Sequence, residues 1–492
     1  MFPYKTSFNL DRKGSQSLYL QLSNQFIQII KEQKLKPKTK LPGSRTLADL
    51  LNVHRKTVVA CYEELLLQGW VESIAKKGTF VHSNLPLLQH TEFYKSNFKK
   101  EKEEAGFSFY KKNLEQTIFI KQDDAIMYFN DGVSDGRLTP IDEIVRTYRR
   151  ITTKKSVYKH LGYNSVYGNI KLREVLVNYL NETRGLQIAK ENILITRGSQ
   201  MGIWLSSQLL LKEQDIIIVG ETNYASANAT FSDQKATVIT VLVDENGIVT
   251  ESIEAICKKQ QIKAVYVTSH HHHPTTVTLS AERRIHLLNL SKQYNFAIIE
   301  DDYDYDFNYN HAPILPLKSH DANKNVIYIG SICKTVAPVF RVGYLIASKE
   351  FVDEAANRRK IVDRQGDELL ELTFADFIKS GDLDRHIRKV MKIYKLRRDL
   401  FCYLLDKELS NFFKFDKPKG GMAVWVVLNK KYSWKEIAKE AFRHQLEIGD
   451  YSRYEATNIK HNAIRIGFAS YNEEEIHELI ARLKTTILAL KN

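Results

Sequence analysis

Cysteine is scarce in this chain. The four, Cys61, Cys257, Cys333 and Cys402 in 492 residues, are scattered and never form a C-x-x-C pair. That argues against a disulfide framework or a thiolate zinc site and points to reduced thiols in a cytosol. Long apolar runs are missing too: none approaches a membrane span, and the opening Met1-Phe2-Pro3-Tyr4-Lys5 is not expected to begin a signal peptide. No internal repeat or low-complexity tract is present. What remains is an ordinary composition, 43% hydrophobic, in a chain too long for one core, so two or three domains are expected. The formal net charge of +14 is uneven. Residues 1–115 hold 19 Lys/Arg against 11 Asp/Glu, whereas the remaining 377 residues hold 53 against 47. A small basic segment ahead of a nearly balanced body fits a nucleic-acid reader on a ligand-binding domain.

The first eighty residues carry the helical period. Leu18, Leu20, Leu22, Phe26, Ile29 and Ile30 predict an amphipathic helix over Ser17–Gln33. Ser44 is expected to cap a short helix, Arg45–Leu51, and a further helix runs from Arg55 to Gln68 with Gly69 as its stop. Trp70–Ile74 and Gly78–Val81 read as two short strands around a Lys76-Lys77-Gly78 tip. Three helices and a hairpin make a winged helix-turn-helix. Its recognition helix would enter a major groove of double-stranded DNA with His54, Arg55, Lys56 and Thr57. Ser44 and Arg45 would hold phosphate, and Lys76, Lys77 and Gly78 would form a basic wing for the minor groove. Each of these basic residues taken alone is also an ordinary solvated charge. From Leu85 to Asp124 the pattern decays into charge runs with isolated aromatics, a tether with docking points at Phe107, Phe109 and Tyr110.

Two short apolar runs in the body, Ala297–Ile299 and Val326–Ile329, read as buried parallel strands. The first runs into Asp301 and Tyr303, the second into Ser331, Lys334 and Arg341, and ligands sit at such strand ends in open α/β sheets. A lysine among small hydroxyls with a cation nearby suits an amine that must shed its proton; it is equally the pattern of a plain surface lysine. Ile193–Thr196 is a further strand, turning through Gly198-Ser199-Gln200 into a helix Met201–Leu211, where free amides favour an anion. The run His270-His271-His272-His273 invites a metal reading. Neighbours in an extended segment point to opposite faces, so the run closes no tetrahedral site alone, and no metal is expected.

IIEDDYD (298–304) followed by IGSICKT (329–335) and FRVGY (340–344) resembles the fold-type I aminotransferases that use pyridoxal 5′-phosphate, and specifically the body of the MocR group of GntR regulators. The stretch 41–81 is similar to the GntR DNA-binding domain along its whole length, with Thr46 where a charged residue is usual. The resemblance implies a Schiff base of pyridoxal phosphate on Lys334, Asp301 on the pyridine nitrogen, Tyr303 on the phenolic oxygen and Ser331 with Arg341 on the phosphate. It gives Ser199 and Gln200 to the phosphate cup, and Cys333 stands where relatives have serine. Tyr224 would stack on the ring, although Thr222-Asn223 replaces a Pro-Gly pair; capping of the following helix is the other reading. His271 falls on the histidine of an S-H-Q-F-P-T-G motif whose glycine is here Thr276, leaving His270, His272 and His273 as loop residues. Asp302, Asp304 and Asp306 are expected to be solvated. Tyr163 and Tyr167 reach a cofactor across a dimer in such folds, or pack locally. Arg465, in Ile464-Arg465-Ile466-Gly467, would grip a ligand carboxylate.

The expected architecture is therefore α/β, with a winged helix-turn-helix (1–84), a linker (85–124) and an aminotransferase-like body (125–492). The expected function is a cytoplasmic, homodimeric transcription regulator. It would hold pyridoxal phosphate as an internal aldimine and sense an amino compound or the cofactor itself. The alternatives are a working aminotransferase carrying a DNA-targeting module, and a DNA-binding protein with a purely structural body.

Overall fold

A computed structural model describes residues 2–85, 107–108, 110, 126–309, 314–332, 334–449, 452–454 and 461–490. The chain divides into two compact units, Met1–Lys112 and Asn113–Asn492. Nearly all of the expected tether lies outside the described residues, as do Phe109 and Cys333; Phe107 and Tyr110 are exposed.

In the first unit the helix Leu18–Lys31 buries Leu22, Phe26, Ile29 and Ile30, spaced to share one face. They meet Leu47, Val58, Leu65, Val71 and Val81 in one core. The second helix is Ser44–Leu51, so Ser44 is its first residue and Gly43 the cap position, one residue earlier than expected. Asn52 ends it in the left-handed region at φ 51°. The third helix, Arg55–Leu67, starts on His54, whose Nδ1 accepts from the Lys56 amide at 3.2 Å. Gly69, at φ 73°, then turns the chain into the wing. Val71–Ile74 pairs antiparallel with Gly78–Val81, Val71 opposite Val81 and Ile74 opposite Gly78.

The second unit is built on a seven-stranded sheet. Its spatial order is Ile193–Thr196, Gly343–Ile346, Val326–Ser331, Ala297–Asp302, Ala264–Val267, Ile216–Gly220, Thr237–Val241. Only Gly343–Ile346 runs against its neighbours. The central strands begin apolar because both faces are covered: Leu194, Ile217, Tyr266, Ile299 and Ile329 join one cluster, and Ile218, Val265, Ile298 and Val326 another. Ala297–Asp302 and Val326–Ser331 pair in parallel with Asp301 opposite Ile329. A smaller antiparallel sheet of Phe413–Lys414, Ala423–Leu428 and Ala463–Gly467 packs with the long helix Asp382–Leu409 and the last helix Glu473–Ala489 around Val424, Phe401 and Leu479. Among the described residues no helix is long and apolar enough to cross a membrane.

Candidate functional site

The site lies along the carboxyl edge of the large sheet. Ser331 pairs with Gly343, and Gly343 with Thr196, so three strand ends form a row. Gly198, at φ 75°, precedes the helix Ser199–Leu210, and a Cβ on it would fall 2.9 Å from Arg341 Nη2. The glycine therefore leaves the guanidinium room beside a helix N-terminus. Arg341 itself is held at φ 51° and donates to the Arg197 carbonyl at 2.8 Å. Ser331, Arg341 and the start of the Ser199–Leu210 helix thus lie at neighbouring element ends. Gln200 Nε2 donates to Thr230 Oγ1 at 2.8 Å, while its Oε1 is buried with no partner among the described residues.

Asp301 is 3% exposed at the end of its strand. Its Oδ2 accepts from Tyr266 Oη at 2.8 Å, and its Oδ1 has no hydrogen-bond partner among the described residues. Burial lifts this carboxyl to about 7, with Tyr266 and Lys334 opposing and the neighbouring carboxylates assisting. Lys334 is partly buried, its Nζ 3.4 Å from the Gly132 carbonyl oxygen and 5.5 Å from the centre of the Tyr303 ring. Burial lowers its pKa, aided by Arg465 and opposed by Asp131. Tyr303 Oη donates to the His271 carbonyl at 3.0 Å and accepts from Arg465 Nη2 at 3.4 Å.

The histidine run departs from expectation. All four histidines are buried, and three pair with carboxylates: His270 with Asp302 at 3.0 Å, His271 with Asp304 at 2.9 Å and His273 with Asp131 at 2.9 Å. His272 hydrogen-bonds the Thr222 carbonyl at 2.9 Å, and burial takes its pKa down to about 4. His271 is turned to Asp304 and the Gly420-Gly421 turn. The His273 ring lies edge-on to Tyr224 at 5.3 Å and to Tyr303 at 6.3 Å, and its buried Nδ1 has no partner among the described residues. Two aspartates expected in solvent are inside, Asp302 and Asp304 serving these histidines, and the half-buried Asp306 pairs with Arg184 at 3.0 Å. The physical reason is mutual burial, since a desolvated imidazole and a desolvated carboxylate each need the other's hydrogen bond. Thr276, where a glycine was usual, sits at φ 66°.

Tyr224 stands at the N-cap position of the helix Ala225–Asp233, where its side chain makes no capping bond, and its ring meets that of His273. Tyr167 hydrogen-bonds Asp353 at 3.1 Å, and Tyr163 is exposed under the Arg364 guanidinium. Arg465 is buried, its Nη1 donating to the Pro274 carbonyl at 3.0 Å. Sequence reasoning missed Asp131, His273, Tyr454 and Tyr266. Only Tyr266 carried a usable signal, a phenol inside an otherwise apolar strand that must find a partner.

In the first unit, Arg45, His54, Arg55, Lys56, Lys76, Lys77 and Gly78 are exposed, with Ser44 and Thr57 at half depth. Arg55 Nε lies 3.4 Å from Ser44 Oγ, so the starts of the second and third helices present one face. Among the described residues no carboxylate pairs with Arg45, Arg55, Lys56, Lys76 or Lys77.

Comparison with known proteins agrees with both halves. The model of bacterial regulatory proteins of the gntR family matches residues 18–81, and that of aminotransferase class I and II matches residues 129–483. The probable rhizopine catabolism regulatory protein MocR of Rhizobium meliloti is 24% identical over 98% of this chain and 96% of its own. The chain belongs to the MocR-type GntR regulators. Members join a winged helix-turn-helix to a fold-type I aminotransferase domain. Aromatic-amino-acid aminotransferase 1 of Thermococcus litoralis is 29% identical over 70% of this chain and 84% of its own. The solved kynurenine aminotransferase of Pyrococcus horikoshii superposes with a TM-score of 0.70 at 27% identity, covering 75% of this chain and 92% of that one.

Proposed function

We propose that this transcription regulator binds pyridoxal 5′-phosphate covalently at Lys334 and responds to a small amine that exchanges there, or to the cofactor's own abundance. The observation that carries the reading is two groups in unusual states at one sheet edge: buried Asp301, with one oxygen unpartnered among the described residues, and half-buried Lys334 beside the Tyr303 ring, its pKa lowered. A buried carboxylate without a cation is costly, and a pyridinium nitrogen would supply one. Lysine with a depressed pKa offers its lone pair to an aldehyde at neutral pH. When bound, the cofactor supplies the electrophilic carbonyl and an electron-withdrawing ring.

The chain's own residues do the rest. Asp301 would hold the ring nitrogen, Tyr224 and His273 one side of the ring, and Tyr303 the phenolic oxygen. Ser199, Gln200, Ser331 and Arg341 would hold the phosphate through a helix N-terminus, a hydroxyl and a guanidinium. The polar atoms left unused at Gln200 and Asp301 and the space that Gly198 keeps open fit such a group. The exposed basic residues of the winged helix would read double-stranded DNA, His54 to Thr57 in the major groove and Lys76 to Gly78 as the wing. The expected domain limits, 1–84 and 125–492, and a homodimeric assembly belong to the same proposal.

A ligand works as a switch only if it binds two arrangements unequally. The test is DNA binding by the full chain, on fragments that it selects from a random library, with and without pyridoxal phosphate. A change in affinity or footprint supports the proposal; identical affinity and footprint in both states refute it. Incubation with amino and keto acids separates sensing from catalysis, because sustained turnover would identify a working aminotransferase.

A further inference from the structure

Arg465 is the residue that the family resemblance assigns to a ligand carboxylate, and here a carboxylate of the chain already faces it. Its Nε lies 3.4 Å from Asp131 Oδ1 and 3.3 Å from the Asp131 carbonyl oxygen. Nη1 serves Pro274 at 3.0 Å and Nη2 serves Tyr303 at 3.4 Å. The side chain is 1% exposed, that of Asp131 30%.

Asp131 is not free to leave. Its Oδ2 takes the His273 Nε2 contact at 2.9 Å, and Tyr454 Oη donates to Oδ1 at 2.7 Å. Arg453 Nη2 lies 3.5 Å from Oδ1. The backbone around it is pinned to the strand that carries Arg465, since the Gly467 amide donates to the Asn130 carbonyl at 2.7 Å. Asn130 Oδ1 closes the turn by accepting from Gly132 at 3.0 Å and Val133 at 3.2 Å, and its Nδ2 donates to Ser470 at 2.9 Å. Burial alone would raise the Asp131 carboxyl, but His273, Arg465 and Arg453 hold it well below the usual carboxylate range. It is a fixed negative charge.

A bidentate carboxylate grip needs two parallel N–H groups of one guanidinium edge. The Nε side of Arg465 is committed to Asp131, and a second carboxylate there would lie beside a like charge in a poorly solvated site. We propose that Asp131 excludes an α-carboxylate from Arg465, so that the amine taken by this site is a primary amine without one. The proposal rests on the cofactor reading above.

Absorbance titration of the cofactor-loaded full chain compares 1,4-diaminobutane and ethanolamine with L-alanine and L-glutamate. The amines are expected to change the cofactor spectrum at concentrations about tenfold or more below the amino acids. In Asp131→Asn, which keeps the shape and an acceptor for Tyr454, that preference shrinks by about the same factor. A second readout needs no cofactor: calorimetry with succinate on the cofactor-free chain should give no binding heat for the native sequence and a saturable signal for the variant. If Asp131→Asn fails to fold, the comparison of ligands on the native chain still decides. Amino acids that bind as well as the amines overturn the proposal, as does a loaded chain that answers to neither class. A chain that takes up no pyridoxal phosphate overturns the cofactor reading instead.

Discussion

Replacing Asp301 by asparagine should stabilise the empty protein while removing its affinity for the cofactor. The carboxyl is 3% exposed and rises from an ordinary 3.8 to about 7 in the folded chain. Below pH ~4 both folded and unfolded chains carry this proton, so it contributes no difference. Between pH ~4 and ~7 the unfolded chain has released the proton that the folded chain retains, and stability falls as pH rises. Above pH ~7 both are ionised, and the folded chain bears the full penalty. At ~1.4 kcal/mol for each tenfold in proton affinity, that penalty approaches about 4 kcal/mol. Asparagine keeps an acceptor for Tyr266 Oη, whose 2.8 Å bond is the one contact the structure gives Asp301 Oδ2. Urea melts of the cofactor-free chain at pH 5 and pH 8 should therefore show Asp301→Asn gaining about 3 kcal/mol more at the higher pH. The same variant should bind pyridoxal phosphate at least about tenfold more weakly, because asparagine offers no counter-charge to a pyridinium. A variant that loses stability equally at both pH values would refute the account of Asp301 as a buried carboxylate awaiting a cation.

Other outcomes follow from the same geometry. Gly198→Val places a branched side chain at φ 75° against Arg341, so cofactor affinity measured by absorbance should fall by about tenfold, with roughly 1–2 kcal/mol of backbone strain. Alanine at both Lys76 and Lys77 should weaken binding to all DNA sequences alike. In a salt titration of DNA affinity, the slope of log affinity against log salt should shrink by about 2. A base-specific loss from that pair would instead make the wing a reader of bases.

Much of the scaffold was legible because its signals are local. The β-branched runs that end at Asp301 and Ser331 had to be buried strands, and their carboxyl ends had to face a ligand edge. The reader's helices followed from Leu22, Phe26, Val58 and Leu65 recurring at helical spacing, with boundaries missed by a residue or two at Ser44 and Leu67. The polar lining was not legible, because each group's partner comes from far along the chain. His273 is buried by virtue of Asp131, 142 residues away, and His271 by virtue of Asp304, 33 residues away. No periodicity encodes such pairs. Read locally, four histidines look like a loop and three aspartates like a solvated turn; in the fold His270 and His271 meet Asp302 and Asp304, while His273 and Asp306 find Asp131 and Arg184.

The central claim is covalent attachment at one nitrogen, and borohydride reduction of the cofactor-saturated chain followed by peptide mass mapping tests it most directly. The account predicts a pyridoxyl phosphate adduct on the peptide that contains Lys334, lost in Lys334→Ala. Saturating cofactor with that lysine unmodified, or an adduct on another lysine, would contradict it.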